Sequence, residues 1–401
     1  MNGDGDKKLA DYEAREEVAI SAGKAALAKF PFLSSRKASG KGFFAELNQN
    51  DIVHPGWYSV HCVDGIGTKL YFCAWSGDYA TQMQDGLQMV LNDMAPMMRA
   101  FPSELSVYIA CQSDVEEHHM GDIMRGIGQG LERTRIPNAP FEVNLGKIET
   151  ASLDEMIALG MPGKGVDLGF VLNGWIKKED VPNLNPQPGY KIVGVASTGL
   201  HSNAYTGGRH SILAPSEALE AREEWRKHYG GRWHLDSRPA ALEGATVMEA
   251  MMTPTADYLV DSIAIGRHFE IKDIFGINIT GNGFKNFNRV GKGVSYEITD
   301  PLPALPVHRF LITESGWPTE KSYVKQNNGM GFAYIVPNQT DAEIVVDIIN
   351  KRGVNHAEIV GEVRDIREVE KETGEDFGGE LVTRIHKPYD GSGIVTLKGY
   401  Q

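Results

Sequence analysis

Tyr58, Val60 and Cys62 alternate with Ser59 and His61, a period of two that predicts a half-buried strand. That strand runs into Asp64-Gly65-Ile66-Gly67-Thr68-Lys69, a polar turn carrying two glycines. The period then lengthens. Met83, Leu87, Val90 and Met94 fall on one stripe of a helix predicted over 79–98, where Pro96 interferes with its continuation. Leu105, Val107 and Ile109 return to alternation, a helix begins over 123–131, and 168–176 and 190–196 read as strands. Upstream, Val18, Ala22, Ala25, Ala26 and Phe30 can share a helical face. Downstream, 255–265 and 341–351 read as helices, and 274–279 and 357–363 as strands. Strands alternating with helices predict an α/β or α+β layered fold rather than a bundle.

Pro182, Pro186 and Pro188 crowd the stretch 179–189, which reads as a linker dividing the chain into domains 1–180 and 181–401. The length supports that division, since 401 residues exceed what one core usually serves. Residues 213–244 are polar and charged, hold Trp225 and Trp233, and predict an inserted helical excursion. No short repeat appears, which excludes solenoids.

Charge narrows the possible partners. Forty basic against 53 acidic side chains leave a net charge of −13 with no long basic run, which argues against nonspecific nucleic-acid or anionic-membrane binding. An anionic small molecule must then be held by a few placed lysines, arginines and backbone amides. Cys62, Cys73 and Cys111 form no CxxC pair and sit in or beside apolar stretches, as expected of buried thiols in a reducing compartment. The opening residues are too acidic for a leader, and no apolar run is long enough to span a bilayer, so a cytoplasmic protein is expected.

Candidate chemistry gathers at glycine-rich turns. Gly65 and Gly67 let backbone N–H groups approach a ligand, Lys69 can meet anionic oxygens, and Asp64 can hold a hard cation, which suggests a phosphate and magnesium site. It is neither a Walker loop nor a Rossmann fingerprint. Asn92 and Asp93 lie beside the methionine stripe, where Asp93 can share a cation with Asp64. Lys37 and Lys41 flank small residues in 34–44, a linker or a lid over phosphates. Glu149 follows Gly146 and Lys147 in a short polar segment. Ser197–Tyr205 reads STGLHSNAY, where a strand ends among hydroxyls, a histidine and an amide that can bind phosphate or position a reacting group. Thr280–Val290 and Asn327–Phe332 hold two further glycine turns.

Taken in order, DGIGTKL (64–70), ND (92–93), STGLHSNAY (197–205), ITGNGF (279–284) and NNGMGF (327–332) resemble the aminoimidazole ribonucleotide synthetases, also called phosphoribosylformylglycinamidine cyclo-ligases, over residues 10–365. The resemblance implies two α/β domains, a homodimer whose N-terminal sheets pack into a shared barrel, and Mg-ATP near DGIGTK and ND. It implies an ATP-dependent ring closure of formylglycinamidine ribonucleotide. On that reading Asp64, Asp93 and Glu149 hold magnesium. Lys69 and Lys41, the latter beside Gly42, neutralise phosphate charge, and Gly65, Gly67, Thr68 and Asn92 contact the nucleotide. His201, Asp93 and Lys69 are the catalytic candidates. His201 acts at cyclisation or binds the substrate phosphate, with Ser197, Thr198, Gly199, Ser202 and Asn203 beside it, and Thr280, Gly281, Asn282 and Gly283 complete the substrate site.

The chain departs from the family pattern at several points. HSNAY has Ala204 where the family has glycine, GKIET (146–150) replaces GGET, TGNGF has Asn282 in place of a glycine, SVYIA (106–110) lacks the usual LDY, and 213–244 is extra. Related selenophosphate synthetases carry a reactive cysteine in their N-terminal glycine loop, and 37–44 has none. Hydrogenase-maturation relatives use a C-terminal cysteine where this sequence reads KGYQ, and thiamine monophosphate kinases lack the DGIGTK form. A sibling enzyme with another formyl, amide or phosphate acceptor, or a non-catalytic nucleotide-binding paralogue, are the alternative expectations.

Overall fold

The computed structural model describes residues 18–19, 21–29, 37–38, 43–49, 53–115, 117–135, 142–157, 163–201, 203–217, 223–269 and 273–400. Strands β1 (Lys37–Ala38), β2 (Glu46–Gln49), β3 (Trp57–Gly65), β4 (Phe101–Cys111), β5 (Asn144–Ser152) and β6 (Val166–Lys177) form a first sheet in the order β1-β2-β3-β6-β4-β5. Only the β4/β5 pair is parallel. The predicted alternation holds: Val60 and Cys62 are buried, Val63 faces outward, and β6 buries every second residue from Val166 to Ile176. On the buried face lies helix Ala80–Met94, with helix Glu117–Arg133 beside it. Its methionine stripe packs on the sheet, and Gly86 permits the closest approach, since a Cβ there would press into the Phe170 ring.

The second sheet contains β7 (Lys191–Ala196), β8 (Phe275–Asn278), β9 (Val294–Ile298), β10 (Met330–Val336), β11 (Ala357–Asp365), β12 (Val382–Ile385) and β13 (Val395–Lys398), in the order β13-β12-β9-β11-β7-β10-β8. It is antiparallel except where β12 meets β9. The unbroken apolar run of β10 fits a strand buried on both faces. Helices Leu259–His268 and Gln339–Arg352 cover one face. The chain is thus a mixed α/β protein of two sheets.

The sheets part at 178–190, where the prolines fall, but the packing does not part there. One buried cluster runs from Val60, Met83, Met94 and Phe170 of the first half to Val195, Tyr258, Phe332 and Tyr334 of the second. Two expectations change. The helix expected from 255 begins only at Leu259, because 253–258 has no regular secondary structure and is instead tied to helix Ala80–Met94 by hydrogen bonds. Segment 213–244 is mostly irregular among its described residues, with one short helix, Glu223–Arg226, and a 3-10 turn, Ala240–Leu242. Its fixed points are aromatic rather than helical: Tyr229 and Trp233 pack into a cluster with Leu213 and Phe310, and Gly231 and Trp233 donate to Leu213 O and Ile212 O. Residues 18–19 and 21–27 are helical but exposed, so Val18, Ala22, Ala25 and Ala26 meet no core among the described residues, and Phe30 lies outside them.

Candidate functional site

Strands β7 and β8 end, and β10 begins, at one edge of the second sheet, because both pair antiparallel with β10. The loops that follow or precede them are three of the glycine-rich motifs, and the backbone binds them together. Ser197 N donates to Gly329 O (2.9 Å), Ile279 N to Gly331 O (3.0 Å), Asn327 Nδ2 to Gly199 O (3.0 Å) and Asn203 Nδ2 to Ile279 O (3.4 Å). The first sheet supplies the rest: β3 delivers Asp64 and a 3-10 turn over Gly67–Lys69, whose Thr68 hydroxyl meets that of Thr206 (3.2 Å). Helix Ala80–Met94 delivers Asn92 and Asp93, and Asn278 Nδ2 donates to Asp93 Oδ1 (3.1 Å). All five motifs therefore meet at one sheet edge.

Two acids face each other there. Burial and then the Asp64 charge raise the Asp93 pKa to about 7, against the pull of the Asn278 hydrogen bond and of Arg289. Burial also raises Asp64, although Gly65 N donates to its Oδ1 (2.7 Å). Two half-buried carboxylates that repel one another, with oxygen lone pairs to spare, form a donor set suited to a hard divalent cation. Glu149 does not join them within one chain. It pairs in register with Tyr108, then Gly169, then Gly65, three strand spacings or about 14 Å away, and it projects from the opposite face. Its carboxylate is exposed and paired with Lys147 at 2.5 Å. The magnesium role expected for Glu149 is thus separated from Asp64 and Asp93 by the two-residue period of its strand.

Lys69 also departs from expectation. Its ammonium is buried, paired with Asp85, and within reach of the carbonyls of Thr253 (3.3 Å) and His201 (3.5 Å), with the Tyr205 ring centroid at 5.1 Å. Burial pulls its pKa down, but Asp85 and Tyr205 outweigh it and the net direction is up. The charge expected to neutralise phosphate is instead turned inward, onto Asp85 and the carbonyls of His201 and Thr253. Asn92 is likewise committed: Nδ2 donates to Ala256 O (2.8 Å) and Oδ1 accepts from Tyr258 N (3.0 Å).

His201 is buried at a φ of +56°, and Thr198 N donates to its Nε2 (3.2 Å), which puts the ring proton on Nδ1. Burial, then the Lys69 charge, pushes its pKa down to about 3, so the ring is neutral. Gly331 makes room for it, since a Cβ would stand 2.5 Å from His201 Cε1 and collide with the Tyr258 hydroxyl. Thr198 is exposed and its hydroxyl donates to Pro254 O (2.5 Å), whereas the buried Ser197 hydroxyl has no partner among the described residues. Gly67, Gly281 and Asn282 are exposed, Gly65, Thr68 and Thr280 are half-buried, and Gly283 is buried. Asn286 Nδ2 holds the Thr280–Gly283 loop through the carbonyls of Gly281 (2.9 Å) and Gly283 (2.8 Å). Lys41, Gly42 and Ser202 lie outside the described residues.

Sequence reasoning missed three contributors, Asp85, Arg289 and His308. Asp85 and Gln82 share a helical stripe with Asn92, offset from the methionines, and that polar spacing was the available signal. Arg289 holds Phe43 O (2.8 Å), stacks over Phe44 with 3.7 Å to the ring centroid, and lends its charge to Asp93, a tertiary contact with no sequence signature. His308 is buried next to Gly199 and Asn327, and its Nδ1 accepts from Leu305 N (3.2 Å).

Residues 48–156 match the family model described as AIR synthase related protein, N-terminal domain. A phosphoribosylformylglycinamidine cyclo-ligase of Methanococcus maripaludis (strain C5) is 30% identical over 318 residues, 79% of this chain and 81% of that one. The enzyme of the same name from Methanocaldococcus jannaschii is 29% identical over 331 residues, covering 82% and 84%. Among solved structures, hydrogenase maturation protein HypE in complex with ATP aligns with a TM-score of 0.50 at 13% identity, over 88% of this chain and 86% of that one. PurLQS from Thermotoga maritima aligns at 0.51 and 11%, over 92% and 47%. At those identities the structural likenesses speak for the fold alone. The sequence relatives, at about 30% identity over four-fifths of both chains, settle the family: the chain belongs to the phosphoribosylformylglycinamidine cyclo-ligases.

Proposed function

We propose that the chain is an ATP-dependent cyclo-ligase that closes the imidazole ring of formylglycinamidine ribonucleotide, giving aminoimidazole ribonucleotide, ADP and phosphate. The observation that carries this reading is the meeting of the Asp64–Asp93 pair with the Thr280–Gly283 and Ser197–Asn203 loops in a member of this family. ATP would phosphorylate the formyl oxygen of the substrate, a substrate nitrogen would attack the activated carbon, and phosphate would leave with that oxygen. Asp64 and Asp93 would hold magnesium, which when bound draws phosphate oxygens together and offsets their charge. Gly65, Gly67 and Thr68 would offer backbone and hydroxyl donors to the nucleotide, and Lys41 and Gly42 belong to the same proposed phosphate site.

The ribonucleotide would lie against Thr198, Gly199, Asn203 and Thr280–Gly283, with Ser197 and Ser202 beside them. His201, neutral with its proton on Nδ1, would donate a hydrogen bond to the substrate and orient it rather than take up a proton. Residues 1–180 would form the nucleotide and dimer half and 181–401 the half that completes the substrate site. The outward face of the first sheet, with Val63 and Tyr108 exposed, supports a homodimer built on it. A cytoplasmic location fits a purine-biosynthetic role; among the described residues no helix is long and apolar enough to cross a membrane.

The test is ADP and phosphate release from Mg-ATP by the purified protein, with and without formylglycinamidine ribonucleotide, together with a colour assay for the aminoimidazole product. Substrate-dependent release with product is expected. ATP turnover that another formyl or amide acceptor stimulates, while this ribonucleotide does not, would move the activity to a sibling reaction.

A further inference from the structure

We infer that Asp85 is a positioning residue for His201, acting through the Lys69 ammonium and the 253–255 segment; its link to turnover rests on the substrate role proposed above for His201. Two routes lead from the Asp85 carboxylate to that histidine. On the first, Asp85 pairs with Lys69, whose ammonium also reaches His201 O (3.5 Å) and Thr253 O (3.3 Å). An ammonium has three donors, and Asp85, the two carbonyls and the Tyr205 hydroxyl together take them up, which leaves Lys69 no N–H for a ligand. On the second, the other carboxylate oxygen accepts from Thr255 N (2.7 Å). That fixes Pro254, whose carbonyl accepts from the Thr198 hydroxyl (2.5 Å), and Thr198 N in turn donates to His201 Nε2 (3.2 Å).

One route therefore holds the backbone of His201 and the other its ring. Both are needed because His201 sits in the left-handed region, which a residue with a Cβ keeps only where its surroundings impose it. Gln82, three residues earlier on the same helix stripe, gives the comparison. Its Nε2 donates to Met252 O (2.9 Å), so it clamps the same segment without a route to His201.

The test uses the full-length protein and the double variant Lys69→Met with Asp85→Asn. It removes both charges, so none is left buried without its partner, and the amide oxygen that replaces the carboxylate can still accept from Thr255 N. The expected result is a folded protein whose kcat for product formation falls by about tenfold to a hundredfold, while the KM for Mg-ATP stays within about threefold. The imidazole ¹H–¹⁵N signals of His201 should shift as its backbone, released from the Lys69 ammonium, carries the ring out of its setting. Gln82→Leu should keep kcat within about twofold and leave those signals in place. Unchanged kcat and unchanged His201 signals in the double variant would overturn the inference, and so would an equal loss of kcat in Gln82→Leu, which would make Asp85 a general clamp. If the wild-type protein forms no aminoimidazole product, the proposed function fails on its own, and the His201 signals of the two variants still decide whether Asp85 positions the ring.

Discussion

Two departures from the family pattern have a conformational setting at single residues. Ala204 caps helix Tyr205–Ile212 at φ +63°, and Asn282 opens the 283–289 turn at φ +70°, both positions where glycine is the unstrained choice. Asparagine tolerates that region and alanine does not, at a cost of roughly 1–2 kcal/mol. Ala204→Gly is expected to raise the unfolding free energy by about 1 kcal/mol in urea titrations, because the relief of strain exceeds the added freedom of the unfolded chain. The acids make the opposite kind of statement. Asp93→Asn should lower Mg-ATP turnover by about a hundredfold or more and yet raise the melting temperature of the metal-free protein, since one of two half-buried, mutually repelling carboxylates is gone. A lower melting temperature would mark Asp93 as a structural residue.

At the level of elements, helix Ala80–Met94 holds the molecule together because it buries two stripes of different chemistry. Met83, Leu87, Val90 and Met94 serve the first sheet and were legible as a period. Gln82, Asp85 and Asn92 grip 252–258, and each takes a backbone group that would otherwise be buried unpaired. Asn92→Leu strands Ala256 O and Tyr258 N at once and is expected to cost about 2–4 kcal/mol, read as a lower urea midpoint. A change within about 0.5 kcal/mol would mean that water or backbone movement repairs the junction. The polar stripe lies in plain view in the sequence, but its partner does not, because 253–258 has no period of its own and is placed only by its hydrogen bonds to the helix.

For the molecule as a whole, buried titratable groups with opposed tendencies set the acid response. His201, His210 and His308 are held neutral, their pKa values pushed down to about 3, by burial first and by neighbouring cations or histidines second. The unfolded chain takes up protons at these sites below about pH 6.5 and the folded chain does not. Their contribution is therefore complete above that pH and is lost as pH falls toward 3, at about 1.4 kcal/mol per pH unit per group. Asp257 works the other way. Burial raises its pKa to about 6 from 3.8, so the folded state holds the proton more tightly and gains stability as pH falls between those values. His210→Asn should flatten the fall of melting temperature between pH 7.5 and 4.5, and Asp257→Asn should steepen it. The same slope in wild type and both variants would remove these groups from the acid response. His210 suits the test because it packs beside Tyr229 and His228, apart from the sheet edge where the motifs meet.

Local information in the chain was enough for most of the strands and helices that carry the motifs, the α/β layering, the family, and the candidacy of Asp64, Asp93 and His201. Each of these rests on a side-chain period, a turn that needs glycine, or a run of residues specific enough to name. Strands β9, β12 and β13, too short to establish a period, and helix Pro306–Ser315 went unread. Which candidates meet was settled by packing and by nothing earlier. Strand register put Glu149 on the wrong face and three strands away, and burial beside Asp85 turned Lys69 inward. Asn92 was taken up by 256–258, while Arg289 and His308 came in from distant segments. A period states which face of an element a side chain takes; what stands opposite that face is fixed only when the elements pack.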